Sequence, residues 1–205
     1  MSFTIGILTG GHSRRMGRPK ALIEFEGTTL LERTVRLARA LSEDIALLGE
    51  PVFDLPPSLT ALPILPDRRP DIGPIAGLEA LLAARPGCSG ILLACDMPHL
   101  CEPLLSKLAD ATGDFDAAVC RTRTPHHPAP PEQWHPCCGH YRPACLPLVQ
   151  AAIDAGRFSI MNLFDRFSVR PIDLAGEEAR WIDNWNTPQD LPGVTFTRPD
   201  EGRDG

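Results

Sequence analysis

Apolar residues follow two alternating rhythms along this chain. Short, nearly continuous runs at Phe3 to Leu8, Ile45 to Leu48, Leu62 to Leu65 and Ile91 to Cys95 alternate with segments whose apolar positions recur every three or four residues. The runs have the length of buried strands and the segments have the period of amphipathic helices. That alternation is the sign of strand and crossover-helix units building a mostly parallel sheet, an α/β fold. Leu30, Leu31, Thr34, Val35, Leu37, Ala38 and Leu41 predict a helix over about Thr29 to Leu41. Gly73-Pro74 opens another through Arg85, with proline at the first helical position, where its missing N–H goes unused.

The second half repeats the pattern less cleanly. Helices are read at Glu102 to Ala111, Pro143 to Ala155 and Ser159 to Arg166, and strands at Ala117 to Cys120, Cys137 to Tyr141 and Val169 to Asp173. Pro51 to Pro63 is read as irregular, and "RTRTPHHPAPPEQWHP", from Arg121 to Pro136, as a loop, because proline lacks a donor and restricts its predecessor. Thr187-Pro188-Gln189-Asp190 has the form of a short helix start. With no internal repeat and no linker, residues 1–192 read as one domain and 193–205 as a frayed tail.

Composition narrows the function. A length of 205 residues suits one well-buried core, and the formal charge of -6 argues against nucleic acid or an anionic membrane as a partner, since both select broad basic surfaces. No apolar run reaches the roughly 18 to 20 residues of a membrane span, and the opening Met1-Ser2-Phe3-Thr4 lacks a basic leader, so a cytoplasmic protein is expected. The seven cysteines form no disulfide framework and fit reduced thiols.

Against that acidic balance, "ILTGGHSRRMGRPKALIEF", from Ile7 to Phe25, is locally cationic. In parallel sheets ligands sit beyond the carboxyl ends of the strands, and glycines there let backbone N–H groups approach phosphate oxygens. Gly10 and Gly11 hold that place, followed by Arg14, Arg15, Gly17, Arg18 and Lys20. The spacing is neither that of a P-loop nor that of a dinucleotide fingerprint. The segment reads either as a polyphosphate cradle or as a solvated basic turn.

Asp96 directly follows the run "GILLAC" and so lies at a strand's carboxyl end, on the side of the glycine loop. A carboxylate facing a polyphosphate calls for a bridging divalent cation, and Mg2+ is held by one or two carboxylates plus phosphate oxygens. The other reading is a helix N-cap. Asp67 also follows an apolar strand, and Gly77, inside the helix after Gly73, marks close approach by a ligand or close helix packing.

Taken together these pieces resemble the molybdenum cofactor guanylyltransferases, the MobA-type nucleotidyltransferases. Leu8-Thr9-Gly10-Gly11 and Arg15-Met16-Gly17-Arg18-Pro19-Lys20 match the family's opening segment. The likeness continues through Asp67, "GPIAGL" at Gly73 to Leu78, "CDMP" at Cys95 to Pro98, "HPCCGHYR" at His135 to Arg142 and "NWNTPQDL" at Asn184 to Leu191. The resemblance implies a three-layer α/β/α sandwich with a mostly parallel mixed sheet, a Rossmann-like nucleotidyltransferase fold. It also implies GTP and molybdopterin as substrates, Mg2+ as cofactor, and contact with a molybdoenzyme or a cofactor chaperone as an accessory partnership. By the same carry-over, Leu8, Thr9, Gly10, Gly11, Lys20, Asp67 and Asp96 would contact the nucleotide. Arg15, Lys20 and Asp96 would serve catalysis, with Asp96 on the metal. Asn184, Asn186, Arg157 and Arg15 would lie toward the pterin.

Three positions depart from the family pattern. Thr9 replaces an alanine and adds a hydroxyl near the base, Pro19 replaces an aspartate, and Leu48-Gly49 stands where an asparagine often lies. Arg18-Pro19-Lys20 is closer to the CTP-dependent relatives, whereas the paired glycines favour GTP. A CTP-dependent molybdopterin cytidylyltransferase, a nucleotidyltransferase acting on another phosphorylated acceptor, and a non-catalytic module that delivers cofactor stand as alternatives. No Ser-His-Asp or Cys-His arrangement points to a covalent route. His126, His127, His135, Cys137, Cys138, His140 and Cys145 lack paired C-x-x-C units and are not read as zinc ligands.

Overall fold

The computed structural model describes residues 3–9, 19–111, 113–123, 132–186 and 188–190. Its elements in chain order are β1 (Phe3–Leu8), β2 (Glu24–Phe25), β3 (Thr28–Thr29), α1 (Leu30–Arg39), β4 (Ile45–Leu48), β5 (Ile64–Leu65), α2 (Pro74–Ala84), β6 (Ser89–Ala94), α3 (Glu102–Ala109), β7 (Ala117–Arg123), β8 (Glu132–Tyr141), α4 (Cys145–Asp154) and β9 (Val169–Leu174). Seven strands form one sheet in the order β5-β4-β1-β6-β8-β7-β9, and β2 and β3 form a small separate hairpin. All neighbours in the large sheet are parallel except β8, which runs antiparallel between β6 and β7.

Alternation along the central strands divides the core into two. Ile5, Ile7, Ile91 and Leu93 face α1 and α3, packing with Leu31, Val35, Leu104, Leu105 and Leu108. Leu48 and Leu92 face α2 and α4, packing with Leu78, Leu81, Leu82, Val149 and Ile153. Strands covered on both sides read as unbroken apolar runs, and the result is the expected three-layer α/β/α sandwich with a mostly parallel mixed sheet.

Local chemistry sets the helix starts. Thr29 accepts the Glu32 N–H through its side chain while Glu32 reaches back to the Thr29 N–H, a reciprocal capping box that begins α1. Gly73, at φ 80, turns the chain into α2, a conformation that a side chain would strain, and Pro74 follows as the first helical residue.

Several expectations needed correction. The loop read over 121–136 is strand at both ends, β7 running on to Arg123 and β8 already beginning at Glu132, while 124–131 lie outside the described residues. Pro136 is accommodated because the pairing slips there, Val119 facing Gly139 and Cys120 facing His135, so that proline occupies an irregularity instead of a ladder position. The helix read over Ser159 to Arg166 is only a 3-10 turn at Met161–Leu163. The proline-rich stretch holds a 3-10 turn at Pro57–Leu59, and a further one spans Gly176–Ile182.

The outer strands are both short of ladder donors. β5 is two residues long and sits between Pro63 and Pro66, and β9 carries Pro171. Proline is tolerated in edge strands, where the absent N–H faces outward.

Candidate active site

The strand order reverses at β1. The chain passes from β1 through α1 to β4 on one side, then through β5 and α2 to β6 on the other. Ligands in open α/β sheets bind beyond the carboxyl ends of the strands at such a switch point. Leu8 and Ala94 are register partners at those ends, so Thr9 and Cys95-Asp96 leave the sheet side by side.

A cavity of about 280 Å³ opens there, lined by Thr9, Lys20, Cys95, Asp96, Cys137 and Asn184 among others. The Lys20 ammonium donates to Asp96 Oδ2 at 2.9 Å and to Asn186 Oδ1 at 2.6 Å. Asp96 Oδ1 is buried and, among the described residues, has no hydrogen-bond partner. Leaving a buried carboxylate oxygen unsatisfied costs on the order of 1–3 kcal/mol or more, and a divalent cation is the natural group to satisfy it. The donor set therefore fits a metal held by Asp96 together with ligand oxygens.

The thiols beside it add no charge near neutrality. Burial, reinforced by the Asp96 carboxylate, pushes both Cys137 and Cys95 up to about 12.

A second cavity, of about 620 Å³, adjoins the first and shares Leu8, Val52 and Pro74 with it. Gly49, Glu50, Asp67, Asp71, Gly73 and Gly77 also line it. Burial, with Asp71 alongside, raises the Asp67 carboxyl above the ordinary aspartate value. The two chambers form one cleft, with a cationic end at Lys20 and an acidic end at Asp67.

The sequence-predicted residues distribute as follows. Leu8, Thr9, Lys20, Asp96 and Asn184 share the first chamber, Asn186 is bonded to Lys20, and Asp67 lies in the second. Gly10, Gly11 and Arg15 lie outside the described residues. Arg157 lines neither chamber. It is exposed just beyond α4, whose terminal Asp154 pairs with Arg69 at 2.7 Å in the loop after Asp67.

The Thr9 hydroxyl, expected near the base, is turned to the backbone, reaching the carbonyls of Leu48 at 3.0 Å and Gly49 at 3.2 Å and tying the ends of β1 and β4 together. Val52, Phe53 and Cys137 line the cleft without having been foreseen. The first two come from a proline-rich loop without periodicity. Cys137 falls within the segment His135 to Arg142 that carries the family likeness, but nothing in the sequence gives it a place in the cleft.

Gly77 answers a question left open by the sequence. A Cβ built there would lie 2.5 Å from Leu8 Cδ2 and 3.4 Å from Leu48 Cβ, so the glycine serves close packing of α2 on the sheet. The ligand's influence enters through Leu8, which lines both chambers. Gly77→Ala is expected to push the Leu8 side chain into the cleft, raising KM for nucleotide several-fold with little change in kcat. The helix-propensity gain of about 1 kcal/mol is offset by about 1–3 kcal/mol of overpacking. Steady-state kinetics with thermal unfolding checks both halves.

The fold and the cleft invite comparison with known proteins. The model of the MobA-like NTP transferase domain matches residues 5–168. The chain belongs to that family. It is 34% identical over 206 residues to the "Probable molybdenum cofactor guanylyltransferase" of Synechococcus elongatus, covering 96% of this chain and 100% of that protein. The "Molybdenum cofactor guanylyltransferase" of Pseudomonas syringae is 28% identical, with 95% and 94% covered. The crystal structure of molybdopterin-guanine dinucleotide biosynthesis protein A from Archaeoglobus fulgidus superposes with a TM-score of 0.69 over 91% of this chain and 94% of that one, at 21% identity, a likeness of fold. As a family member the chain is a nucleotidyltransferase built on this family's sheet, and the cleft lies at the switch point where α/β sheets bind ligands.

Proposed function

We propose that this protein transfers GMP from GTP to molybdenum-bound molybdopterin, releasing pyrophosphate and forming the guanine dinucleotide cofactor. The observation that carries the reading is the Lys20–Asp96 pair at 2.9 Å, set at the carboxyl ends of β1 and β6 in a chain whose full-length relatives carry the guanylyltransferase name.

In this reading the triphosphate lies along the first chamber and the nucleoside in the second. A terminal phosphate oxygen of the pterin attacks the α-phosphorus of GTP, the new P–O bond forms opposite the leaving oxygen, and pyrophosphate departs. Such transfers need positioning and charge stabilisation and no side-chain nucleophile. Lys20 supplies an ammonium toward the outer phosphates, and Asn186 holds it there. Asp96 is the residue to hold Mg2+, which when bound neutralises charge on the phosphate oxygens. Leu8 and Asp67 border the nucleoside, and Asn184 borders the phosphates on the side assigned to the pterin. The backbone N–H groups of Gly10 and Gly11 and the Arg15 guanidinium are assigned to the phosphates and the acceptor by family resemblance. All seven cysteines are free, which suits work in a reducing cytoplasm.

One sequence feature favours a second reading. Arg18-Pro19-Lys20 resembles the opening of CTP-dependent relatives, so CTP is the competing donor. Pyrophosphate release is to be measured with each of the four nucleoside triphosphates, with and without molybdopterin. GTP is expected to be used at least about 100-fold better than CTP and only when the pterin is present. Preference for CTP would reassign the base, and release from none would leave a cofactor-delivery module.

A further inference from the structure

The C-terminal segment Asn184-Trp185-Asn186 crosses the mouth of the first chamber with its middle residue turned the other way. Trp185 is 7% exposed and forms a small apolar cluster with Ile23 and Leu30, each 1% exposed, against which Phe25 packs. This cluster is separate from the two main cores. The Phe25 ring meets Trp185 edge-on at 5.1 Å and His99 edge-on at 5.7 Å, and the Arg33 guanidinium lies 5.4 Å from the Phe25 centroid.

Every member of that cluster is tied to the site by backbone. The Trp185 N–H donates to the Asp96 carbonyl at 3.0 Å. The Ile23 N–H donates to the Lys20 carbonyl at 3.0 Å, and the Leu30 N–H to the Ile23 carbonyl at 2.9 Å. On the other side of the segment, Asn186 Oδ1 accepts from the Lys20 ammonium, and Asn186 is itself braced through its N–H to Asp190 Oδ2 at 2.8 Å. One buried indole, near the C-terminus, thus joins the stretch from the turn after Lys20 to the start of α1 with the backbone of Asp96.

We propose that Trp185 is a positioning residue that sets the Lys20 ammonium between Asp96 and Asn186. It lines neither chamber. Trp185 is buried in the Ile23–Leu30 pocket while, of its neighbours, Asn184 lines the cleft and Asn186 bonds Lys20, so the seating of the indole fixes how far Asn186 reaches. The hairpin of β2 and β3 then has a function in holding Phe25 against the indole. The inference rests on the reading of Lys20 as the phosphate-facing cation, and its test is chosen to stand apart from that reading.

Lys20 and Lys107 are the chain's two lysines. Lys107, on α3 and lining neither chamber, pairs with Glu178 and serves as an internal reference. The full chain is to be acylated with a trace of amine-reactive reagent and the Lys20 to Lys107 labelling ratio read by mass spectrometry, beside pyrophosphate-release kinetics. Trp185→Ala is expected to raise the ratio at least about 5-fold and to lower kcat/KM for GTP about tenfold or more, mainly through kcat, as misplacement of a catalytic cation does. Trp185→Phe, which keeps a ring in the pocket, is expected to restore both to within about 3-fold of the parent. Should Trp185→Ala not fold, Trp185→Leu gives the same comparison.

An unchanged labelling ratio in a natively folded Trp185→Ala or Trp185→Leu protein overturns the proposal, as does a fall in melting temperature with kinetic constants intact. Labelling needs no turnover. A parent protein that responds in labelling but releases no pyrophosphate would sink the guanylyltransferase reading and leave the positioning of Lys20 standing.

Discussion

Asp96→Asn is expected to lower kcat by about a thousandfold or more while the melting temperature moves by only a few degrees, because the carboxylate would hold the cation that offsets developing phosphate charge and contributes little to the fold. Oδ1 is buried with no partner among the described residues and Oδ2 is bound to Lys20, so the amide replaces a poorly satisfied group at a strand end. The ion pair that is lost is partly exposed, and pairs of that kind contribute about 0–1 kcal/mol. For a chain of this size that corresponds to roughly 2–4 °C. Pyrophosphate release across a Mg2+ titration, with calorimetric unfolding of the same sample, measures both. Retained turnover with unaltered metal dependence would remove Asp96 from the metal.

Lys20→Ala is expected to reduce kcat/KM for GTP by about 10²–10³-fold while changing GMP binding by less than about 3-fold. The asymmetry follows from where the ammonium sits. Asp96 and Asn186 hold it at the cationic end of the cleft, and Asp67 lies in the other chamber, so a monophosphate lacks the outer oxygens that the ammonium would meet. Removal also leaves the Asp96 carboxylate facing the triphosphate without its neighbouring cation. Lys20→Arg is expected to recover only part of the loss, since a planar fork does not replace a compact point charge between two acceptors. Calorimetric titration with GTP and GMP checks the asymmetry, and equal losses for both would move Lys20 away from the outer phosphates.

Much of this cleft was legible because the rule behind it is topological. Thr9 and Cys95-Asp96 each leave the end of an apolar strand, and in a parallel sheet such ends meet, while Lys20 reaches Asp96, 76 positions away, from the turn at Lys20–Leu22. β1 and β4 have the bounds read from the sequence because both are buried on two faces and flanked by polar residues. What escaped was structure without a period. The two-residue strands at Glu24–Phe25 and Thr28–Thr29 are too short to show alternation, although they carry the ring that supports Trp185.

The misread helix has a different cause. Ile160, Leu163 and Phe167 are buried at spacings of three and four, which a succession of tight turns delivers as readily as an α-helix does over so few residues. In β8, proline suggested a loop, and only the pairing slip beside Val119 makes room for it. The Asn186 contact with Lys20 had no signal in composition or periodicity. It depends on the path of the last turns across the cleft, and the family resemblance alone pointed there.

The short β5 between prolines and the proline of β9 matter beyond this cleft. A sheet with long, flat margins offers a template on which a second molecule can continue the hydrogen-bonded ladder, the usual first step toward fibrils. Here one margin ends after two residues and the other lacks a donor at Pro171, which disfavours growth by strand addition at both sides. Both margins thus carry the features by which sheet proteins discourage the joining of edges between copies.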